Sequence, residues 1–143
     1  MGLPSAAELA CSFDQFMRLQ EYTESGIDVF QLDGEIDMHF APVLRQLLIG
    51  KRNAHCPALL LDMSAVEFVD STALAVILEH VRNTTYVDGH FCIGGVSANL
   101  HTIFEIVRLD RAIPIFPDAA AAKHALISGT VPRVSEPLFR SAA

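Results

Sequence analysis

The sequence predicts an α/β fold in which a mixed sheet of about five strands carries four helices, mainly on one face. Three observations support this fold class. Short apolar runs alternate with segments of helical periodicity. Gly, Pro and Asp residues, which favour turns and loops, lie between these segments. The run "ALLLDM" is almost continuously apolar, which is typical of a central parallel strand that is covered on both faces.

The first two strands are expected to form an antiparallel hairpin. Apolar and polar residues alternate loosely from Phe13 to Leu19, "QEYTESG" suits a turn, and "IDVFQLDGEI" places apolar side chains among polar neighbours. After a turn at "VDG", the runs "HFCIGG" and "AIPIF" predict two later strands. Pro114 lacks an amide donor, so the strand "AIPIF" is expected at an edge of the sheet.

Helical periodicity occurs in four segments, and each begins beside a residue that can start or cap a helix. Their expected bounds are Pro42 to about Asn53, a start after Asp70, a start at Ser97 or Asn99, and Asp118 to about Ile127. Helices between strands provide the right-handed crossovers that make neighbouring strands parallel.

The chain of 143 residues suits a single domain over 1–128, followed by a tail over 129–143 that has little periodicity. The formal net charge is −7, and the Lys and Arg residues are scattered, so no basic stripe is available to bind nucleic acid. The longest apolar runs are too short to cross a bilayer, and the N-terminus lacks the pattern of a signal peptide. We therefore expect a cytoplasmic protein without membrane insertion.

No motif predicts catalysis, a metal site or a cofactor. The six histidines form no His-x-x-x-His pair, and the three cysteines are widely spaced, so both residue types are expected to be structural. The stretch "IGGVS" lacks the Lys and Ser/Thr of a phosphate-binding P-loop. The stretch "VDSTA" lacks the glycines of a nucleophile elbow, and no histidine can be assigned as a base for its Ser71. The chain is expected not to be an enzyme.

The stretch "EFVDSTALAVILEH" allows two interpretations of Asp70, Ser71 and Thr72. Each of these residue types is favoured at helix N-caps, so one of them can simply start the helix that follows. A hydroxyl group at a helix start is also a favourable place for a phosphate, because the helix dipole and the free amides attract negative charge. Both interpretations stay open, and one residue can serve both roles.

The stretch "DGEID", residues 33–37, has the same ambiguity. Gly34 and Asp37 can form a bend and an Asx turn into the next helix. If the neighbouring strands are parallel, however, the strand ends at Asp37 and Asp70 lie at the same edge of the sheet. Two acids would then flank Ser71.

Three segments together resemble the STAS domain family, which includes bacterial anti-sigma-factor antagonists and the cytoplasmic tails of sulfate transporters. The first, "LDGEIDMHFAPVLRQLL", is similar to the family's Gly-Glu-Leu-Asp segment and following helix. The second, "LLLDMSAVEFVDSTALAVIL", is similar to its Asp-Ser-Ser/Thr-Gly-Leu-Gly phosphorylation loop, and "FEIVRLDRAIPIF" resembles its last helix-to-strand passage. The likeness extends from about Phe13 to Ile127 and implies a STAS-type fold.

The resemblance implies regulation by partner switching. An unphosphorylated antagonist binds an anti-sigma factor that is also a serine kinase, phosphorylation by this kinase releases the antagonist, and a phosphatase reverses the modification. By position, the implied phosphoacceptor is Ser71, with Thr72 as the second candidate. The implied partner-binding residues are Asp37, Asp70, Ser71, Thr72, Ala73 and Leu74. A homo-oligomer is compatible with this scheme.

The chain has Ala73-Leu74-Ala75 where the family usually has Gly-Leu-Gly. The two methyl groups stiffen the start of the helix and could block the close approach of a kinase. One alternative is therefore a STAS subunit of a lipid-transport or stress-signalling complex that binds its partner without switching. A second alternative is a small-ligand or nucleotide-binding domain that uses the loops near Asp37, Ser71 and Gly94.

Overall fold

A computed structural model of the chain describes residues 17–84 and 90–129. Within this part, the chain forms five strands and five helices. The strands are β1 Met17–Glu24, β2 Ile27–Ile36, β3 Ala58–Val69, β4 His90–Gly94 and β5 Ile115–Phe116. The helices are α1 Ala41–Asn53, α2 Ser71–Thr84, α3 Ala98–Ile106, α4 Leu109–Ala112 and α5 Ala119–Ser128. The predictions for residues 13–16, for the turn "VDG" and for a tail from residue 130 onward lie outside the described residues.

The strands form one mixed sheet in the order β1-β2-β3-β4-β5. β1 pairs with β2 in antiparallel orientation, and the other neighbouring strands are parallel. The helices between the parallel strands supply the crossovers that this arrangement requires. The predicted fold class is confirmed, including the initial hairpin, the central position of β3 and the edge position of β5.

The turn of the first hairpin is shorter than predicted. β1 extends through most of "QEYTESG" to Glu24, and only Ser25 and Gly26 lie between the two strands. Both residues have a positive φ, 53° and 80°, as two-residue type I′ hairpin turns require. The prediction of a seven-residue turn was wrong because β1 is an edge strand. The solvent-facing residues of an edge strand are as polar as those of a turn, so the sequence does not distinguish them.

The two faces of the sheet carry cores of different size. In β2, Phe30 and Leu32 face the larger core, which α1, α2, α3 and α4 complete. Ile27 and Val29 face the smaller core, together with Ala122 of α5. Successive side chains of a strand point to opposite faces, so the same strands build both cores. The prediction that the helices lie mainly on one face is confirmed.

Periodicity does not predict α4, a single turn between α3 and β5. Arg108 adopts a left-handed backbone with φ of 62° and separates this turn from α3. The turn buries Leu109 and Ala112 in the larger core. A four-residue segment is too short to show a period of 3.6 residues, so sequence patterning cannot detect it.

β3 is longer than the predicted run "ALLLDM". It pairs with β4 over Ala58–Asp62 and with β2 as far as Val69. The second half of β3 and the end of β2 therefore form a two-stranded extension past the end of β4. The register of β2 and β3 shifts twice along this extension, each time with one extra residue in β3.

Candidate functional site

The carboxyl ends of β2 and β3 bring two acidic segments of the chain together. Ile36 and Val69 are register partners, and the amide of Asp70 donates to the carbonyl of Ile36 at 3.1 Å. Asp37 and Asp70 are therefore the first residues beyond two adjacent parallel strands. We call the surface formed by residues 33–41 and 64–75 the Ser71 edge. The two predicted acids do lie at one edge of the sheet.

Asp70 is the residue that caps α2. Its Oδ1 accepts a hydrogen bond from the amide of Ala73 at 2.9 Å, and its carbonyl accepts one from the amide of Leu74 at 3.0 Å. Ser71 and Thr72 consequently occupy the first two positions of the helix, and both are exposed. Of the two roles that the sequence leaves open, the cap belongs to Asp70, and neither hydroxyl group serves as the cap.

Asp37 organises the turn that leads into α1. Its Oδ1 accepts hydrogen bonds from the amides of His39, at 2.9 Å, and Phe40, at 3.3 Å. Its carbonyl accepts a hydrogen bond from the amide of Ala41 at 2.8 Å. The expected Asx turn is present. Asp37 therefore shapes the Ser71 edge in addition to placing a carboxylate on it.

Ala73 and Leu74 differ from the other predicted partner-binding residues because they lie inside the protein. Ala73 is fully buried, Leu74 is 8% exposed, and both belong to the larger core. The methyl group of Ala73 therefore packs against this protein's own interior and cannot obstruct a partner. Ala75 is exposed, so it alone of the two alanines reaches the surface. The surface that the start of α2 offers to a partner excludes Ala73 and Leu74.

The Ser71 edge is strongly acidic. The two segments that form it contain no Lys or Arg. They contain five carboxylates, which belong to Asp33, Glu35, Asp37, Glu67 and Asp70. A phosphate on Ser71 would be placed among charges of its own sign, while the amides at the start of α2 favour an anion locally.

Two large apolar side chains at the Ser71 edge are missed by sequence reasoning. Met38, directly after Asp37, is 57% exposed, and Phe68, two residues before Asp70, is 48% exposed. The apolar pattern of β3 gives no sign that Phe68 faces solvent, because a register shift decides its side. The only indication in the sequence that Phe68 could belong to the functional site is its closeness to Ser71, the candidate phosphoacceptor.

A second polar cluster lies at the opposite end of the strands, beside the hairpin. Lys51 donates to Asp28 at 2.8 Å and also to Glu21, and the thiol of Cys56 donates to Asp28 at 3.3 Å. Burial, together with the neighbouring Asp28, raises the pKa of Cys56 to about 11. The thiol is therefore protonated and unreactive at neutral pH. This cluster ties α1 to the hairpin, which is a structural role.

Among residues 17–84 and 90–129, no group of three or more His, Cys, Asp and Glu side chains could hold a metal ion. His80 is 4% exposed and packs edge-on against Phe91, with ring centroids 4.5 Å apart. Burial lowers the pKa of His80 to about 4, so it is a neutral core residue at physiological pH. Nor does any helix in the described part of the chain combine the length and apolar character needed to span a membrane.

The sequence profile described as "STAS domain" matches residues 18–122. The chain belongs to the STAS domain family. The identification from three sequence motifs is thereby confirmed. The matched range includes the whole of the Ser71 edge, so the acids and hydroxyl groups described above are part of the STAS domain itself.

The relatives of this STAS protein include curated anti-sigma factor antagonists. It is 28% identical over 99 residues to the anti-sigma-B factor antagonist of Listeria monocytogenes, which covers 69% of this chain and 86% of the relative. It is 24% identical over 98 residues to the anti-sigma F factor antagonist of Paenibacillus polymyxa, which covers 68% of this chain and 84% of the relative. The crystal structure of an anti-sigma factor antagonist from Mycobacterium paratuberculosis has a TM-score of 0.70 and 28% identity, over 76% of this chain and 92% of that chain.

Proposed function

We propose that this STAS protein is an anti-sigma-factor antagonist that works by partner switching. The unphosphorylated protein binds an anti-sigma factor with serine kinase activity through the Ser71 edge, and phosphorylation of Ser71 releases it. The names of the relatives support this class of partner. The observation that carries the switch is the position of Ser71, which is exposed in the first turn of α2 while Asp70 caps the helix.

Ser71 is suited to be a phosphoacceptor because no side chain in the described part of the chain holds its hydroxyl group. Within the described residues, no hydrogen bond involves the hydroxyl group of Ser71 or of Thr72. A kinase can therefore modify Ser71 without breaking the cap, since Asp70 continues to hold the first turn of α2. Thr72 offers a second exposed hydroxyl group one position later, which makes it the second candidate.

Phosphate at Ser71 would weaken a close contact through its bulk and its charge. It stands at the first exposed position of α2, where it holds a partner away from the surface. It also adds about −1.5 to −2 charges, which must lose their hydration when a partner covers them. A loss of about 3 kcal/mol weakens binding more than a hundredfold, so no large conformational change is needed.

The chain acts in this proposal as a ligand and as a kinase substrate, not as an enzyme. Activation of Ser71 as a nucleophile would require a base within hydrogen-bond reach of its hydroxyl group. No side chain of the described residues is hydrogen-bonded to it. The kinase activity belongs to the anti-sigma factor, a phosphatase reverses the modification, and the exchange takes place in the cytoplasm, where sigma factors act.

The structure argues against a small-ligand site at Gly94, one of the positions that the small-ligand alternative uses. A Cβ atom added to Gly94 would lie 3.0 Å from the carbonyl oxygen of Asp118 and 3.1 Å from the Cα of Ala119. The start of α5 therefore already covers this part of the backbone, and a ligand has no room there. The alternative of a STAS subunit that does not switch rests on the exposed methyl group of Ala75, which hinders a kinase more than a permanent partner.

The proposal is tested with a purified kinase-type anti-sigma factor from the same genome, ATP and mass-spectrometric mapping. We expect Ser71 to be modified in the wild type and in Thr72→Ala, and no modification at this site in Ser71→Ala. Calorimetry should show binding that weakens more than a hundredfold after phosphorylation, while Ser71→Ala binds like the unmodified wild type.

Two results would contradict this switch. Tight binding of the anti-sigma factor without modification of Ser71 or Thr72 would favour the STAS subunit that does not switch. Saturable binding of a nucleotide or acyl ligand, without any protein partner, would favour the small-ligand domain.

A further inference from the structure

The register of the sheet places Phe68 on the surface. Phe68 pairs with Glu35, whereas Val66 pairs with the residue directly before Glu35, so Glu67 is an extra residue in β3. Strict alternation after the buried Val66 would turn Phe68 into the core and Val69 out of it. With the extra residue, Val69 is 3% exposed and Phe68 is 48% exposed. The irregularity thus preserves the core and presents an aromatic side chain to solvent.

Phe68 lies on the face of the sheet that α5 leaves open. Ile36 faces the larger core, so its neighbour Glu35 and the paired Phe68 face the other side of the sheet. α5, the helix on that side, leads away from the Ser71 edge, since its Lys123 reaches Glu24 of the hairpin at 3.5 Å. In the described part of the chain, α5 therefore does not bury Phe68.

The surroundings of Phe68 indicate the chemistry of a partner. Met38, a second large apolar side chain, is 57% exposed at the same edge of the sheet. The segments that carry Met38 and Phe68 contain five carboxylates and no Lys or Arg. An aromatic side chain bordered by charges of one sign is matched by an apolar pocket bordered by charges of the opposite sign.

We propose that the protein partner receives Phe68 in an apolar pocket whose rim carries Lys or Arg side chains. This inference rests on the proposed function, because it describes the anti-sigma factor that covers the Ser71 edge. Phe68 is the anchor of the contact, since buried aromatic side chains dominate the binding energy of many interfaces. Met38 is a peripheral contact, and the carboxylates face the basic rim.

The experiment measures the affinity of the unmodified protein for the same purified anti-sigma factor by calorimetry. We expect Phe68→Ala to weaken binding by roughly 30-fold or more, as for an anchor residue, and Met38→Ala by only about 3-fold. Ile127→Ala is the matched control, because Ile127 is 58% exposed on α5. This control should bind like the wild type. The affinity of the wild type should fall as NaCl is raised from about 50 to about 500 mM.

A further variant separates binding from folding. Phe68→Tyr adds a hydroxyl group that water solvates in the free protein but that an apolar pocket cannot pair. We expect it to weaken binding about 10-fold without lowering the unfolding temperature. If Phe68→Ala lowers the unfolding temperature, its loss of affinity could come from a less stable fold. The affinity of Phe68→Tyr then decides whether Phe68 enters an apolar pocket of the partner.

The outcomes distinguish this inference from the proposed function. Wild-type affinity in Phe68→Ala and Phe68→Tyr, together with release on Ser71 phosphorylation, would overturn the aromatic anchor and leave the switch intact. An affinity that does not depend on NaCl would overturn the basic rim. No binding by the wild type would overturn the proposed function and this inference with it.

Discussion

The cap of α2 and the charge beside Ser71 reside in one side chain, Asp70, and two substitutions separate them. In the wild type, Oδ1 of Asp70 accepts a hydrogen bond from the amide of Ala73 at 2.9 Å. Asp70→Asn keeps an oxygen that can accept this hydrogen bond but removes the negative charge. Asp70→Ala removes both. Loss of an N-cap costs about 1 kcal/mol, and for a chain of this size that lowers the unfolding temperature by roughly 4 °C. Asp70→Asn should stay close to the wild type in stability.

Urea unfolding gives the stability of each variant, and calorimetry with the anti-sigma factor gives its affinity. Asp118→Ala is the matched control, because Oδ1 of Asp118 caps α5 by accepting from the amide of Ala121 at 2.7 Å. We expect Asp118→Ala to lose about as much stability as Asp70→Ala. It should keep the affinity of the wild type, since α5 leads away from the Ser71 edge, as the contact of its Lys123 with Glu24 of the hairpin shows.

Two results would refute this reasoning. If Asp70→Ala unfolds at the same urea concentration as the wild type, the carboxylate of Asp70 does not stabilise α2. If Asp70→Asn is as unstable as Asp70→Ala, the contribution comes from the charge at the helix terminus and not from the hydrogen bond to Ala73. Equal losses of affinity in Asp70→Ala and Asp118→Ala would assign the binding effect to general stability.

Two further predictions concern the stability of the fold. Burial lowers the pKa of His80 from its ordinary 6.5 to about 4, so the folded protein prefers the neutral ring, and stability is lost as pH falls from about 6.5 to about 4. At about 1.36 kcal/mol per pH unit the loss is about 3 kcal/mol. Urea unfolding at both pH values should show that His80→Leu lacks this component, and an equal pH dependence in both proteins would contradict it. Gly95→Ala should destabilise the protein by about 2 kcal/mol or more, because φ is +78° and the new Cβ would lie 2.1 Å from Oγ of Ser64. Gly50→Ala, in α1 with nothing within 4 Å of the new Cβ, should raise the unfolding temperature, and a gain in both variants would show that Gly95 is not constrained.

Local patterns determined most of the fold. Period-2 and period-3.6 patterns depend only on nearby residues, so they predicted the five strands, four of the five helices and the cap at Asp118. They left the start of α3 open between Ser97 and Asn99, and in the structure Ser97 is the cap. The alternation of strands and helices predicted parallel neighbours, and for parallel strands it also predicted that Asp37 and Asp70 lie at one edge of the sheet. The three segments that together resemble the STAS family are each contiguous in sequence, so the family could be identified from local patterns as well.

Features that depend on pairing between distant segments were decided by the tertiary structure alone. Asp70, Ser71 and Thr72 are all good caps by residue type, and the hydrogen bond from the Asp70 amide to Ile36 of β2 sets the backbone position that makes Asp70 the cap. Ala73 is buried because α2 packs on the larger core. The side of the sheet on which Phe68 lies depends on one extra residue in β3 relative to β2. A register shift of one residue reverses the facing of a side chain without changing the sequence pattern, so only the paired strands could reveal the exposed aromatic residue beside Ser71.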